Sequence, residues 1–233
     1  YRESGALVVA LVNDETSPLA RLADVALPLC AGPETSVAAT KSYIASLVGL
    51  AALVGAWSGD AGLQAGCRAL VDGLPRAFAE DWSAAVPDLT RAPSLFTIGR
   101  GYTFAIAQEA ALKLKETCGL HGEAFSSAEV RHGPMAIVRN GFPVLAFAGA
   151  DAAGDDVRQV CAEFAARGAR VWLADSADTV PPGVNHLPLP AAAPEFTPML
   201  AIAAFYRMVD QLAAARGFDP DAPPFLAKVT RTL

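Results

Sequence analysis

The sequence predicts an α/β fold, on the basis of two observations: recurring short apolar stretches and an internal repeat. The apolar stretches are bounded by Gly, Asp or Asn, and longer stretches with helical periodicity lie between several of them. Parallel strands alternating with helices show this pattern, because each strand is buried on both faces. The predicted strands are residues 6–12, 94–98, 144–148 and 170–174.

The internal repeat has one order of elements in both copies: a strand that begins Gly-Ala, a second strand that ends in Pro, and a long apolar helix. The first copy comprises Gly5 to Val9, Val25 to Pro28 and a helix from about Val37; the second comprises Gly168 to Trp172, Asn185 to Pro188 and a helix from about Phe196. The repeat predicts a duplicated domain, each copy a parallel sheet flanked by helices.

The two copies differ in what precedes them. A strand, a glycine turn and a helix (residues 95–119) precede the second copy, whereas nothing equivalent precedes Gly5, so we expect the first domain to be N-terminally incomplete. Two prolines and mixed polar residues after a helical stretch indicate a linker. The predicted organisation is residues 1–83 as the C-terminal part of the first domain, 84–93 as the linker, 94–218 as the second domain and 219–233 as a closing tail.

Composition favours a soluble globular protein and argues against a nucleic-acid-binding surface. Apolar residues make up 53% of the 233 residues, which is enough for a sizeable core. The net charge is −6, and no cluster of Lys and Arg is present to bind phosphate backbones or anionic lipid.

The four cysteines (Cys30, Cys67, Cys118 and Cys161) lie far apart without a CxxC pair. This spacing fits neither a zinc site nor a dense disulfide framework, and it is typical of a reduced, cytoplasmic setting.

The longest apolar run, Tyr43 to Trp57, is interrupted by Ser and Gly. We interpret it as a buried helix too short to span a bilayer, and we expect no membrane association.

The turn Gly99-Arg100-Gly101 connects a predicted strand to a helix that begins at about Phe104. Free N–H groups and the helix dipole at such a turn suit an anionic group such as a phosphate. The dinucleotide pattern GxGxxG is not met, because Phe104 takes the place of the third glycine. A phosphate site and a tight turn without a ligand both remain open.

Charged residues on the following helix, Glu109, Lys113 and Glu116, fall at i, i+4 and i+7 and therefore form one stripe. One interpretation is a solvent-facing Glu–Lys pair. The other is a cleft wall in which a carboxylate accepts a proton and the lysine offsets negative charge on a substrate. Spacing alone does not decide between them.

Beyond this helix, Ser126-Ser127-Ala128-Glu129 can cap a further helix without any catalytic role. His132 precedes Gly133-Pro134, so it is a histidine held at a rigid turn and suited to proton transfer near neutral pH, although an ordinary surface histidine is the alternative. Lys228 lies near the end of the Pro-rich tail, where a solvated terminal charge is the simple interpretation.

These motifs resemble the SIS (sugar isomerase) domain family, over nearly the whole chain. The stretches Ala110 to Glu116, Glu123-Ala124-Phe125 and Arg131 to Pro134 resemble the second SIS domain in the isomerase half of glucosamine-6-phosphate synthase. The stretches Ala31 to Glu34, Val37 to Lys41 and Leu226 to Lys228 resemble the matching parts of its first domain and tail.

The resemblance implies a catalytic set and a substrate. Glu116 would move a proton between C1 and C2 of an opened sugar phosphate, supported by Glu109 and Lys113. His132 would assist ring opening from the partner subunit of a homodimer. Lys228 would complete the catalytic set by closing over the sugar near C1 and C2. Substrate contacts would come from Val37, Thr40, Ala227 and Lys228, and neither a metal nor another cofactor is implied.

Two departures from the family pattern affect substrate binding. Ala39 stands where synthases usually have a serine. The Ser-Gln-Ser-Gly type phosphate loop of the first domain is expected to lie before Tyr1.

Within the family, the strings 9–16, 125–129 and 228–233 look closer to stand-alone glucosamine-6-phosphate deaminases, which convert glucosamine 6-phosphate and water to fructose 6-phosphate and ammonia. The deaminase is therefore the leading prediction. The isomerase domain of a glutamine–fructose-6-phosphate aminotransferase is the alternative, followed by a fructosamine-6-phosphate deglycase and a non-catalytic sugar-phosphate sensor.

Overall fold

A computed structural model describes residues 4–228, which form two parallel sheets and the helices around them. The strands are β1 (Val9–Val12), β2 (Val25–Pro28), β3 (Ser94–Gly99), β4 (His121–Ser126), β5 (Pro143–Phe147), β6 (Arg170–Asp175) and β7 (Asn185–Pro188). The helices are α1 (Pro18–Leu22), α2 (Lys41–Ser58), α3 (Ala61–Ala79), α4 (Val86–Thr90), α5 (Phe104–Cys118), α6 (Ala152–Ala166) and α7 (Thr197–Ala215). The predicted α/β fold with parallel sheet and flanking helices is confirmed.

The larger sheet has five strands in the order β4-β3-β5-β6-β7 and is parallel throughout. Successive side chains of a strand point to opposite faces, so β5 contributes to two cores. Leu145 and Phe147 pack with α5 and α7, whereas Val144 and Ala146 pack with α6. Both faces of the sheet are therefore covered, which explains why its central strands are mostly apolar.

The smaller sheet consists of β1 and β2, paired in parallel with Val9 opposite Val25. Its counterpart in the repeat is the pair β6–β7, with Trp172 opposite Asn185, and a long helix follows each pair. These helices begin at Lys41 and at Thr197, the first a few residues later than the sequence predicted. The order of elements in the predicted repeat is thus present in both copies.

The prediction that the run Tyr43 to Trp57 is a buried helix is wrong for burial, although the helix forms as α2. Gly55 is the one buried residue along it, and Trp57 is 86% exposed. One face packs on α3 and α7, and the other borders an open apolar groove of about 570 Å³ beside the smaller sheet. Leu11 and Leu29 approach this second face at Gly49, but Leu50, Val54 and Trp57 of the helix remain exposed.

Helix α2 also contradicts the length argument against a membrane span. Its 18 residues have a mean hydropathy of 1.2, and among the described residues it alone is long and apolar enough to cross a bilayer. Buried core helices pass the same test. Its contacts with α3 and α7 show a helix that packs on other helices of the chain.

The stretch predicted as a linker, residues 84–93, is ordered and packed against the second sheet's core. It includes α4 and most of the 3₁₀ turn Ser83–Ala85, and Ala85 and Leu89 are fully buried. Helix α4 contacts α7, and the indole of Trp82 donates to the Pro188 carbonyl at 3.0 Å. The segment between the two copies is therefore held to the second sheet.

Strand β4 is not among the predicted strands, and only its last residue, Ser126, belongs to the predicted helix cap. It forms the edge of the larger sheet, and His121 and Glu123 are exposed along it. The predicted cap is also wrong: the 3₁₀ turn Glu129–His132 has Ala128 at its N-cap and no side-chain capping bond. The Ser126 hydroxyl instead accepts a hydrogen bond from the Ala128 N–H at 3.2 Å.

Candidate active site

Helix α5 carries the predicted charged stripe, and the structure decides how that stripe is placed. The helix begins at Phe104, as predicted, and ends where Gly119 adopts a left-handed conformation with φ of 55°. Glu109 is only 8% exposed and Lys113 only 4%. The interpretation of these residues as a solvent-facing pair is therefore wrong, and they line the interior between α5 and α7.

The stripe is a connected ion-pair network in which Lys113 is shared by two carboxylates. Its Nζ lies 3.2 Å from Glu109 Oε1 and 2.7 Å from Glu116 Oε2. Tyr206 on α7 donates a hydrogen bond of 2.8 Å to the same Glu109 Oε1. Glu116 is the most accessible of the three ionic residues, with 25% of its side chain exposed.

Burial governs the electrostatics of Glu109. It raises the pKa of that carboxyl group above its usual range, and the positive charge of Lys113 and the Tyr206 hydroxyl offset only part of the shift. Burial also raises the pKa of Tyr206, and the adjacent Glu109 raises it further, so the phenol stays protonated and can only donate to the carboxylate. Tyr206 and Lys113 therefore both donate to Glu109, which is the acceptor between them.

Two cavities adjoin the network on different sides. A cavity of about 180 Å³ is lined by Lys113 and Tyr206 together with residues of the 36–40 segment, the end of α7 and the tail. A second cavity of about 560 Å³ is lined by Glu116 and Lys115 together with Phe218 and residues 224–226. Lys113 and Glu116 thus connect two spaces that the C-terminal segment borders.

The segment before α2 is folded over the first cavity and held by Glu34. The Glu34 carboxylate accepts hydrogen bonds from the Thr40 N–H at 2.8 Å and from the Ser42 hydroxyl at 2.6 Å. Burial opposes ionisation, but these bonds and the nearby charge of Lys228 lower the pKa of Glu34 overall. Glu34 therefore supplies the acceptor at the N-terminus of α2, where Thr40 makes no side-chain cap.

The tail closes onto this same segment. Asp221 accepts hydrogen bonds from the Ser36 hydroxyl at 2.5 Å and, through its carbonyl, from the Val37 N–H at 3.4 Å. Lys228 Nζ donates to the Ser36 carbonyl at 2.7 Å. Lys228, for which a solvated terminal charge was the simple interpretation, is thus half-buried and bonded.

The predicted substrate-binding residues lie in different surroundings. Thr40 lines the cavity that also contains Lys113, and Val37 is held next to it by the tail. Ala227 is exposed and precedes Lys228. The predicted tail continues to residue 233, and its last five residues lie outside the described part of the chain, as do the first three of the predicted first domain.

His132 is not part of this network within residues 4–228: no hydrogen bond or ion pair joins it to Glu116 there. It is exposed at the end of the 3₁₀ turn Glu129–His132, followed by Gly133 with φ of 141°. The preceding residue fixes the turn: Arg131 pairs with Asp156 at 2.9 Å and with Glu163 at 3.1 Å. The prediction of a histidine held at a rigid turn therefore agrees with the geometry of its neighbours.

Asp156 is the centre of the cluster that holds this turn. It accepts hydrogen bonds from the Ser127 hydroxyl, from Arg100 Nη1 at 2.5 Å and from Arg131 Nη1 at 2.9 Å. Burial acts to raise the pKa of Asp156, but these three donors bring it down to about 2. Arg100, from the glycine turn predicted to suit an anion, is thereby paired with a carboxylate of the protein.

Sequence reasoning missed four residues that build the site: Glu34, Ser36, Tyr206 and Asp221. Glu34 belongs to a recognised motif, but no role was predicted for it. Tyr206 lies within a long apolar helix, and its partner Glu109 is 97 positions away in sequence. Nothing in a local pattern indicates such a pair. Among the described residues, no group of three or more His, Cys, Asp or Glu side chains is arranged to hold a metal ion.

Comparison with known proteins identifies relatives over nearly the whole chain. A family model described as the SIS domain matches residues 1–56 and 88–215. A glutamine–fructose-6-phosphate aminotransferase (isomerizing) from Aeropyrum pernix is 38% identical over an alignment that includes 98% of this chain. The chain spans 39% of the length of that relative.

Several solved structures share the fold. A candidate phosphosugar isomerase from Silicibacter pomeroyi DSS-3 is 43% identical with a TM-score of 0.87, over 94% of this chain and 67% of that one. The C-terminal domain of glucosamine-fructose-6-phosphate aminotransferase from Francisella tularensis is 26% identical with a TM-score of 0.83, over 95% of this chain and 68% of that one. A glucosamine-6-phosphate deaminase from Thermotoga maritima is 26% identical with a TM-score of 0.75, over 94% and 65%.

Proposed function

The chain belongs to the SIS domain family, and from that premise we propose that Glu109, Lys113 and Glu116 form the proton-transfer centre of an aldose–ketose isomerase for sugar phosphates. The observation that carries the proposal is the burial of the network. A lysine shared by two carboxylates in the protein interior indicates a functional site. Exposed ion pairs contribute little to stability, and buried ones carry a desolvation cost that a purely structural role does not explain.

In this proposal Glu116 is the base. It is the most accessible carboxylate of the network and faces a cavity, whereas Glu109 is covered by Tyr206. The Glu116 carboxylate removes the C2 proton of the open-chain aldose and returns it at C1, which converts the aldose to the ketose form. The ammonium of Lys113, 2.7 Å from Glu116 Oε2, offsets the negative charge that develops on the substrate during transfer.

The other predicted residues serve binding and ring opening. Thr40 lines the cavity that also contains Ser36 and Lys113, and Lys228 donates to the Ser36 carbonyl. In this proposal both side chains contact the sugar. His132 assists ring opening, and we assign it to the site of a partner subunit in a homodimer, because it is exposed and has no hydrogen bond or ion pair to Glu116 within residues 4–228. We further propose two tandem SIS units, with 1–83 as the C-terminal part of the first and 94–218 as the second, on the strength of the repeated strand pairs and long helices. The four free cysteines support a cytoplasmic location.

Among amino-sugar reactions, the comparisons favour the isomerase domain of a glutamine–fructose-6-phosphate aminotransferase over the deaminase that the sequence strings suggested. The relative from A. pernix carries that name at 38% identity, whereas the deaminase from T. maritima is 26% identical. In the aminotransferase direction, fructose 6-phosphate and ammonia taken from glutamine give glucosamine 6-phosphate and water. Proton transfer between C1 and C2 is common to both reactions.

The deaminase remains the second candidate. A glucosamine-6-phosphate deaminase from T. maritima shares the fold with a TM-score of 0.75, at the same 26% identity as the aminotransferase domain from F. tularensis. In that case water hydrolyses the C2 imine, and fructose 6-phosphate and ammonia are released.

Replacement of Glu116 by Gln tests the proposed base. In the full-length protein we expect Glu116→Gln to lose about two to four orders of magnitude in kcat, the usual contribution of a placed general base. Asp72→Asn changes an exposed carboxylate of α3 in the same way and should leave kcat unchanged. Equal kcat in Glu116→Gln and wild type would exclude Glu116 as the base.

The amine source separates the two candidates. Wild-type protein is incubated with fructose 6-phosphate and glutamine, and separately with glucosamine 6-phosphate alone. Glutamine-dependent formation of glucosamine 6-phosphate supports the aminotransferase, and ammonia release without glutamine supports the deaminase. Absence of any sugar-phosphate turnover, with binding retained, would contradict both and favour a sensor.

A further inference from the structure

Tyr206 has a position in the network that neither the charged stripe nor the proposed mechanism uses. It comes from α7, is 8% exposed, and donates to Glu109 Oε1 at 2.8 Å. That same oxygen also faces Lys113 Nζ at 3.2 Å, while the nitrogen lies closer, at 2.7 Å, to Glu116. Two donors from different helices therefore converge on one carboxylate oxygen.

We propose that Tyr206 is a positioning residue of the proton-transfer centre, acting through Glu109 to keep Lys113 on Glu116. The proposal rests on the proposed isomerase function. A buried carboxylate needs its charge balanced, and each donor reduces the demand that it places on the others. With the Tyr206 hydroxyl in place, Glu109 does not require the whole of the Lys113 ammonium, and the lysine can sit nearer to Glu116.

The charged and titratable groups around Glu109 are known from every element that packs there. Lys113 and Glu116 come from α5 itself, Tyr206 and Asp210 from α7, and Tyr43 from α2. Glu34 lies before α2, and Asp221 borders the same cavity from the tail. Lys113 is the one cation that contacts Glu109 in the described part of the chain, and Tyr206 is the neutral donor to it. Loss of the hydroxyl therefore shifts the balance at Lys113.

Removal of the hydroxyl has a definite consequence for Glu116. In Tyr206→Phe, Glu109 has only Lys113 left as a donor, so the ammonium moves toward Glu109 and away from Glu116. The ammonium then offsets less of the negative charge that develops on the substrate, so kcat falls. We expect a fall of about tenfold, because loss of one stabilising donor costs about 10²–10³ in kcat and here the lysine is displaced rather than lost.

The experiment measures kcat and KM for glucosamine 6-phosphate in the full-length wild type, Tyr206→Phe and Tyr43→Phe. Tyr43 is the matched control: it is half-buried and near Glu109, but its hydroxyl donates to the Ala105 carbonyl at 3.4 Å. We expect kcat to fall in Tyr206→Phe only, with KM unchanged. A kcat of Tyr206→Phe equal to that of the wild type, or a change confined to KM, would overturn the proposal.

The same change in kcat is then measured in a Glu109→Gln background, where no carboxylate remains for Tyr206 to act through. We expect Tyr206→Phe to cause no further fall there, and an additional fall of equal size would overturn the proposal. If Tyr206→Phe does not fold, 4-aminophenylalanine at position 206 replaces it: its amine still donates from the same end of the ring, so the wild-type kcat is expected and a lowered kcat counts against the proposal. Failure of the wild type to turn over any sugar phosphate refutes the proposed function itself, and so the two failures are distinguishable.

Discussion

Substitution of Lys113 by Met tests whether the charged network is buried as described. Lys113 is 4% exposed, and its Nζ contacts Glu109 at 3.2 Å and Glu116 at 2.7 Å. Removing one partner of a buried ion pair typically costs about 3–5 kcal/mol, because a buried charge is left without its counter-ion. Glu116 is partly solvated and Glu109 keeps the Tyr206 hydroxyl, so we expect the lower end, about 3 kcal/mol.

The loss of stability in Lys113→Met should depend on pH, and the direction of that dependence follows from the pKa of Glu109. The folded-state pKa of Glu109 is already raised by burial, and loss of Lys113 removes the largest influence that lowers it. A carboxyl group whose pKa is raised on folding stabilises the protein below its unfolded pKa and loses that stabilisation as pH rises through the folded pKa. The deficit of Lys113→Met relative to wild type should therefore be large at pH 7 and shrink toward pH 4.

Chemical denaturation at several pH values measures the deficit, and thermal unfolding should show a fall in Tm of about 6–12 °C for a chain of this size. Lys115→Met is the matched control, since Lys115 is an exposed lysine of the same helix. Its cost should stay within about 0.5 kcal/mol. The reasoning is refuted if Lys113→Met costs no more than Lys115→Met, or if its deficit grows as the pH falls.

Two further predictions concern packing and the turn before His132. In Gly66→Ala the new Cβ would lie 2.0 Å from the Phe196 ring, so we expect a loss of about 1–3 kcal/mol by chemical denaturation. Gly73→Ala, where the nearest atom is Leu200 Cδ2 at 3.3 Å, is the control, and equal stability of the two variants would contradict the packing. Asp156 has a pKa lowered to about 2, so its stabilisation is complete above its unfolded pKa near 4 and is lost as pH falls through about 2. Because the side chain is 22% exposed, we expect Asp156→Asn to cost about 1–2 kcal/mol at pH 7, with a smaller deficit at pH 2; a deficit independent of pH would show that ionisation of Asp156 is not involved.

The predictable part of the fold was its pattern of buried parallel strands. Strands β3, β5 and β6 are covered on both faces, so their sequences are mostly apolar, and the structure begins and ends them within one or two residues of prediction. Strand β4 lies at an edge of the sheet, where His121 and Glu123 face solvent. Its sequence therefore lacks the apolar pattern from which the other strands were predicted. The prediction that α2 is buried was wrong for a related reason. Apolar composition indicates what a helix can bury, but the elements that cover it come from elsewhere in the chain.

The candidate site was also predictable only where local spacing determines it, and not where it depends on contacts distant in sequence. Spacing on one helix placed Glu109, Lys113 and Glu116 on a single face, because i, i+4 and i+7 are neighbours in any α-helix. Whether that face is solvated depends on α7, which supplies Tyr206 from 97 residues away. The contact between Ser36 and Asp221 spans 185 residues and is equally beyond local patterns.

The most direct test of the central claim is exchange of the sugar C2 proton with solvent. The full-length wild type and Glu116→Gln are incubated with glucosamine 6-phosphate or fructose 6-phosphate in D₂O, and deuterium at C1 and C2 is followed by NMR. Isotope exchange reports proton transfer itself and does not depend on where the amine comes from. The proposal predicts deuterium incorporation by the wild type and its loss in a folded Glu116→Gln variant; incorporation at the wild-type rate by Glu116→Gln would contradict it.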